Sequence, residues 1–209
     1  FLNYSVAALR TQAIQSHNVL TVLYYSLNNS KIPSPHQRNA EQISILRATP
    51  NLIEWKPADA HEGLLAYNMY LKSKNHPTVI LLRDEIVKTI SNVSEKDFAK
   101  GAYILKQEKN KKFKTVICSG GEMEYVFKAF KDRDDIRIVS MPSVSKFRMQ
   151  SNEFKRKLIP SKKTAYYIEV SNDRSPYEFA DYVIGIRDNI YQQYTKSLVY
   201  SVKKLQQLL

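Results

Sequence analysis

A histidine, an arginine and a lone cysteine are the residues of this 209-residue chain whose types first invite chemistry. His36 stands between Pro35 and Gln37. An imidazole titrates near neutral pH, so it can act as acid or base in a ligand site; a surface-loop histidine is the plain alternative. Arg83 follows the apolar run from Thr78 to Leu82. That puts it just past the carboxyl end of a strand, where α/β sheets gather their ligands. A guanidinium there offers a planar fork suited to phosphate oxygens. An ion pair with Asp84 or Glu85 would occupy it otherwise. Ser26, His36 and Asp59 supply the residue types of a Ser-His-Asp triad, yet no G-x-S-x-G turn is present and spacing alone fixes no geometry. Cys118 lies within an apolar run and reads as a small buried hydrophobe. His17, His61 and His76 read as capping or exposed residues.

These side chains must be held by elements that the apolar pattern specifies. Val6, Leu9, Ala13 and Ile14 recur near helical spacing, and His17-Asn18 ends that helix. Residues 19–25 are β-branched and aromatic, as in a buried strand. Residues 28–36, with Pro33 and Pro35, form a loop. A short helix over 41–46 and a short strand over 52–55 follow. Asp59 is a good N-cap, with Glu62 three residues on and Leu64, Leu65, Met69 and Leu71 as the apolar face. The strand over 78–82 completes a strand–helix–strand alternation, which predicts an α/β fold with a mostly parallel sheet. Residues 85–100 carry few large apolar side chains and read as a linker between a unit at 1–84 and a second at 101–209. The second unit has expected strands over 102–105, 114–118, 136–140, 165–170 and 182–186. The first two flank a basic hairpin or loop. Helices are expected over 122–130, 153–158 and 195–209, the last with Leu198, Val202, Leu205 and Leu209 on one stripe. The fold class expected is therefore α/β, as two three-layer α/β units with mostly parallel sheets.

Composition excludes several functions. Apolar residues make up 43% and charged residues 25%, a globular balance. No apolar run approaches the roughly 20 residues of a membrane-spanning helix, so no membrane partner is expected. One cysteine excludes an internal disulfide framework and a cysteine-based zinc site, and a reducing, cytoplasmic setting follows most simply. There are 5 glycines, about a third of the usual share. Neither G-x-G-x-x-G nor G-x-x-x-x-G-K-[ST] occurs, which argues against an independent nucleotide-binding enzyme. The chain starts at Phe1 rather than Met, so a processed or cropped chain is expected, and no signal peptide is read at its start. The formal net charge is +12, and 21 of the 32 Lys and Arg fall after residue 100. They cluster at Lys106, Lys109, Lys111, Lys112 and Lys114, and again from Lys146 to Lys163. No recognition motif accompanies them, so a solvated face is favoured over nucleic-acid binding.

Read in order, a set of short motifs resembles the transketolase family. His36-Gln37, Glu41-Gln42, Leu46-Arg47-Ala48-Thr49-Pro50-Asn51, Trp55-Lys56-Pro57-Ala58-Asp59 and Glu62 resemble its H-Q-x-x-E-Q, L-R-x-x-P-N, R-P-x-D and following glutamate. Leu81-Leu82-Arg83 resembles L-S-R, and Gly101-Ala102-Tyr103-Ile104-Leu105 resembles G-[AG]-Y-V-L. Ser119-Gly120-Gly121-Glu122-Met123 resembles S-G-S-E-V, and residues 137–143 resemble R-V-V-S-M-P-S. The resemblance implies the latter half of a pyrimidine-binding domain over 1–84 and the family's C-terminal domain over 101–209.

What the family would place here follows residue by residue. Phe1 and Tyr4 are similar to two aromatics that pack on the cofactor's aminopyrimidine ring. His36 matches a histidine near cofactor and substrate, and Arg83 matches the arginine that holds the sugar phosphate. Thiamine diphosphate and a divalent metal are implied for the complete protein, with no metal ligand assigned in this chain. The family's loop departs over residues 23–37. Tyr24 and Tyr25 stand where it has His-Asp, and its Gly-Glu-Asp-Gly run is absent. The glutamate that drives ylid formation and the diphosphate- and metal-binding domain fall outside the chain. The expectation is a C-terminal segment of a thiamine-diphosphate-dependent ketol transferase acting on sugar phosphates, inactive as this chain alone. A homodimer or a missing N-terminal transketolase part is the implied partner. The alternatives are a catalytically dead structural or interaction module, and third a basic nucleic-acid-binding accessory.

Overall fold

Two sheets meet at the carboxyl ends of their parallel strands. The computed structural model describes residues 2–15, 18–25, 42–83, 87–169, 171–185, 205–207 and 209, with the side chains of 2–6, 24, 25 and 42 outside the description. α1 (Leu2–Ile14), β1 (Leu20–Tyr25), α2 (Gln42–Ala48), β2 (Ile53–Trp55), α3 (Ala60–Lys72) and β3 (Thr78–Arg83) form the first unit. Its strands run parallel in the order β1-β3-β2, with Val22 and Trp55 both opposite Ile80. Val79 and Leu81 meet Leu9 and Ala13 of α1 and Ile43 and Leu46 of α2 on one face. Ile80 meets Leu65 and Ala66 of α3 on the other. Alternate residues of β3 are thus buried on both faces, as a parallel strand between helices must be.

The start of α3 shows how local sequence sets an element. The Asp59 side chain accepts from the Glu62 backbone N–H at 3.0 Å. Glu62 turns back to accept from Ala58 N–H at 2.7 Å, one residue before the position a capping box would use. Of the expected apolar face, Leu65 and Met69 pack inward, whereas Leu64 and Leu71 are each 60% exposed. Residues 64 and 71 share a face that is turned about 100° from that of 65, so hydrophobicity alone misassigned them.

The segment expected as a linker contains an element of its own. α4 (Glu95–Phe98) is capped by Ser94, whose hydroxyl accepts from Asp97 N–H. Phe98 is fully buried and stacks on Trp55 with ring centroids 4.7 Å apart. One apolar residue in a single turn leaves no periodicity to read.

β4 (Tyr103–Lys106), β5 (Lys114–Cys118), α5 (Met123–Phe130), β6 (Ile136–Ser140), α6 (Val144–Arg148), α7 (Asn152–Leu158), β7 (Ala165–Ile168) and β8 (Tyr182–Ile184) form the second unit. The sheet order is β4-β6-β5-β7-β8, parallel except for β4 against β6. β4 and β5 are therefore not a hairpin, and the basic stretch between them is a crossing loop. Helix α6 was not expected; it occupies one turn between Pro142 and the next loop. Of the expected closing helix, residues 205–207 are described and helical, and Leu205 packs against the α5 side of the sheet. Val126 and Phe130 of α5 cover Val116 and Ile138, while Phe147 and Leu158 cover Ile117 and Val139 from the opposite face. These are the expected three layers.

Gly101 joins the units at a point of close approach. Its φ is +86°, and a Cβ there would lie 2.5 Å from both Phe147 N and Ser143 O. Both neighbours are backbone, so neither yields cheaply. Gly101→Ala is expected to destabilise the chain by more than about 1 kcal/mol, read as a lower urea midpoint at unchanged slope. An unchanged midpoint would mean that α6 is free to move away.

Candidate functional site at the junction of the two sheets

The polar groups of both units converge where β2 points into the second sheet. The backbone is continuous with that sheet: Lys56 N–H donates to Pro142 O at 2.7 Å and Gly120 N–H donates to Lys56 O at 3.0 Å. Lys56 Nζ then reaches Glu122 Oε1 at 2.7 Å and Glu169 Oε1 at 3.4 Å. Glu122 lies in the 3-10 turn after β5, and Glu169 lies just past β7. Arg47 of α2 spans the same two-unit boundary. It donates to Glu169 Oε2 at 2.7 Å, Glu169 Oε1 at 3.0 Å, Asp173 Oδ2 at 2.6 Å and the Tyr167 hydroxyl at 3.3 Å. All of these side chains are buried or nearly so. Glu54 of β2 lies 3.7 Å from Arg47 Nε and accepts from Val144 N–H, Ser145 N–H and the Ser145 hydroxyl. Hydroxyl and backbone donors supplement the two cations at Glu54, Glu169 and Asp173.

Electrostatics follow from this packing. Burial alone would raise the Glu169 carboxyl, but Arg47 and Lys56, with hydrogen bonds from Arg47 and Ser171, hold it down at about 2. Burial would likewise lower Arg47, yet Glu169 and its other partners keep it above its ordinary value. A second carboxylate pair sits at the start of α3. Burial would raise Asp59, but backbone and hydroxyl donors of Glu62, Ser91 and Ile90 bring it below the ordinary range. Glu62 is pushed up by full burial and by Asp59, against donors from Tyr103, Ser140 and Ala58. Burial also pushes the Cys118 thiol up, away from any reactive thiolate.

In an open α/β sheet, ligands enter at the carboxyl ends of strands where the strand order reverses. Here that point lies between β5 and β7, and Lys56, Glu122, Glu169 and Arg47 fill it. The cluster clasps the two units rather than presenting a reactive group.

The expected site residues fare differently. Phe1, His36, Ser26 and the loop run from Ser26 to Gln37 lie outside the described residues. Tyr4 falls on α1 and Tyr24 and Tyr25 on β1, with their side chains outside the description. Arg83 ends β3 as expected. Its guanidinium donates to Glu124 Oε2 at 3.0 Å and Gly121 O at 3.3 Å, and lies over the Tyr125 ring at 5.9 Å. One counter-ion thus comes from the second unit, and Asp84 and Glu85, the alternative partners, lie outside the described residues. Asp59 is committed to capping α3. His61 Nε2 contacts Val93 O and His76 Nδ1 contacts Asn51 O. Among the described residues, no group of three His, Cys, Asp or Glu could hold a metal ion, and no helix is long and apolar enough to cross a membrane. Several of the clustered cations are engaged: Lys106 with the Arg133 and Ile136 carbonyls, Lys109 with Asp134, Lys114 with Leu209 O, and Arg148 with Glu178.

The roles of Lys56, Glu122 and Glu169 were missed in the sequence. A signal existed for Lys56 and Glu169: each is a charge at the carboxyl end of an apolar run, as in Leu52-Ile53-Glu54-Trp55-Lys56 and Ala165-Tyr166-Tyr167-Ile168-Glu169, whereas Glu122 stands behind Ser119-Gly120-Gly121. The partner of each comes from a distant segment.

Residues 101–189 match the family model described as the transketolase-like TK C-terminal domain. The chain is similar to a transketolase of Bacillus subtilis, 32% identical over 169 residues that make up 77% of this chain and 25% of that protein. The chain thus spans about a quarter of the length of the curated relatives it matches. In fold it is similar to the transketolase from Leishmania mexicana, with TM-score 0.86 and 22% identity over 100% of this chain and 32% of the other. A split-gene transketolase, solved as an inactive beta4 tetramer, gives TM-score 0.69 at 16% identity over 99% of this chain and 72% of its own.

Glu169 carries the test of the clasp. Glu169→Gln leaves Arg47 and Lys56 short of a buried counter-charge and is expected to cost about 3 kcal/mol at neutral pH. Arg47 and Lys56 hold the native carboxyl down at about 2, against 4.5 ordinarily. Its contribution is therefore full above pH 4.5 and is lost as pH falls toward 2. Stability curves of the two proteins should converge across that window in urea titrations. Curves that stay parallel down to pH 2 would remove Glu169 from the clasp.

Proposed function

This chain belongs to the transketolase family as its C-terminal part, and from that premise we propose that it is the C-terminal segment of a thiamine-diphosphate-dependent ketol transferase acting on sugar phosphates in the cytoplasm. The N-terminal transketolase part would complete it, and the complete protein would work as a homodimer. The chain by itself would not be catalytic. The observation that carries this reading is the clasp of Arg47, Lys56, Glu122 and Glu169, which fixes the end of the first sheet, with Arg83, against the second unit. Residues 1–84 would then be a partial pyrimidine-binding domain, 85–100 the connection, and 101–209 the C-terminal domain.

The described residues do not by themselves fit the cofactor. They hold no cluster for its metal, and Phe1 and His36 lie outside them. Thiamine diphosphate, when bound to the complete protein, would supply the electron sink for moving a two-carbon unit. The part proposed for this chain is narrower. Arg83 would hold the substrate phosphate, His36 would act beside the transferred unit, and the Phe1 and Tyr4 rings would border the cofactor. The Glu124 carboxylate would compete with phosphate for the Arg83 guanidinium.

One observation favours a second reading, a catalytically dead structural module. The same Arg83 is already paired with Glu124, and the family's substrate loop is altered in sequence at Tyr24 and Tyr25. The two readings separate in the protein assembled with an N-terminal transketolase part. The enzyme reading expects two-carbon transfer, and Arg83→Ala is expected to raise the sugar-phosphate KM by about tenfold or more with a smaller change in kcat. An unchanged KM would remove Arg83 from the phosphate site. Assembly without any transfer would leave the structural module.

A further inference from the structure

A basic pocket opens beside β2 and the first residue of β3, at the opposite end of β3 from Arg83. It holds about 380 Å³ among the described residues, within the size range of small-molecule sites. Trp55 of β2 and Thr78 of β3 line it. Lys72 and the loop residues Lys74 and His76 enter from the end of α3, and Lys146 enters from α6 of the second unit. Among the described residues no carboxylate lines it.

Two of these cations have no use within the described chain. Lys72 is accounted for: it pairs with Glu95 and sits in the last turn of α3, where a helix favours positive charge. The ammonium groups of Lys74 and Lys146 have no hydrogen-bond or ion-pair partner among the described residues.

The backbone of the loop points the same way. Its carbonyls are largely engaged. Asn18 Nδ2 donates to Ser73 O at 2.7 Å, and Asn51 Nδ2 to Asn75 O at 3.2 Å. The Ser73 hydroxyl donates to His76 O at 3.2 Å, and Ile53 N–H to Pro77 O at 3.0 Å. The N–H groups of Lys74, Asn75 and His76, by contrast, meet no acceptor among the described residues. His76 Nδ1 lies 3.2 Å from Asn51 O, which can only accept, so Nε2 is the ring nitrogen left for a ligand. A loop whose acceptors are engaged and whose donors are unused suits an anion.

Charge and geometry select the class of anion. Lysines meet phosphate as separate point charges, whereas a planar carboxylate is matched by an arginine fork, and no arginine lines this pocket. Two uncompensated ammonium groups favour a ligand with at least two negative charges. Thr78 and Arg83 stand at opposite ends of a six-residue strand, about 16 Å apart. The pocket is therefore separate from Arg83.

We propose that this pocket is a second anion site, which takes a compact phosphate-bearing dianion or polyanion between the two units. Lys74 and Lys146 supply the charge, and His76 and the loop N–H groups supply hydrogen bonds. The ligand ties the loop after α3 to α6, on the side of the boundary away from the Arg47 and Lys56 clasp.

Calorimetric titration of the 209-residue chain with pyrophosphate tests the site. Saturable binding at one equivalent is expected, with a raised melting temperature. Binding should persist in Arg83→Ala. Lys74→Gln combined with Lys146→Gln should weaken it by about tenfold or more, since charged hydrogen bonds are lost. The melting temperature of that variant without ligand should not fall, because neither lysine is paired. Lys146→Gln alone should weaken binding by a smaller factor. Removing the same number of charges at the exposed Lys162 and Lys163 should leave binding unchanged. Citrate should bind at least about tenfold more weakly than pyrophosphate. No saturation at millimolar pyrophosphate overturns the site, as does binding that Arg83→Ala abolishes. Equal weakening by the Lys162 and Lys163 changes would reduce the effect to net charge and overturn it too. A Lys146→Gln variant that binds as the native chain does overturns the bridge between units, and citrate binding as tightly as pyrophosphate overturns the phosphate class.

Discussion

A buried ion cluster between two sheets is the constraint on which the rest of this molecule depends. Arg47 and Lys56 leave the first unit and find their counter-charges, Glu169, Asp173 and Glu122, on the second. Such clusters gain little over a well-packed apolar contact, because desolvation offsets most of the Coulomb energy. Their effect is on geometry. A misdocked pair of sheets strands a bare charge in low dielectric, at a cost of several kcal/mol, so a single relative placement survives. Around the cluster, the Trp55–Phe98 stack and the backbone bonds of Lys56 close the same boundary in apolar and main-chain terms.

This clasp also explains what the second sheet is not. Its strand order reverses between β5 and β7, where an open α/β sheet holds a ligand. That crevice is filled from within by the chain's own cations and carboxylates. Few glycines, no phosphate-cradling loop and a plugged crevice agree with one another. The second unit reads as a platform, and Arg83 is its clearest beneficiary: Glu124 and the Gly121 carbonyl, both from the second unit, fix the guanidinium at the end of β3.

The first unit has the opposite character. Its core is well formed beneath α1 and α2, and among the described residues a groove remains over β1 on the α3 side. Leu64 and Leu71 stay exposed on α3, and beside Gly63 lies a space that no described residue occupies.

The sequence by itself determined the alternation of strands and helices, the α/β class, the N-cap at Asp59 and the kinship written in its ordered motifs. Each rests on local signals: apolar period, capping chemistry, or short contiguous runs. It did not determine that Leu64 and Leu71 would face outward, that Phe98 would leave a polar segment to stack on Trp55, or that β4 would pair with β6 instead of β5. Nor did it show Arg83 tied to Glu124, or Lys56 lying between Glu122 and Glu169. Those outcomes join residues 41, 66 and 113 positions apart. A charge at the end of an apolar run looks the same in sequence whether it meets solvent or a counter-charge. Only the docking of the two sheets, which removes water from around it, decides which.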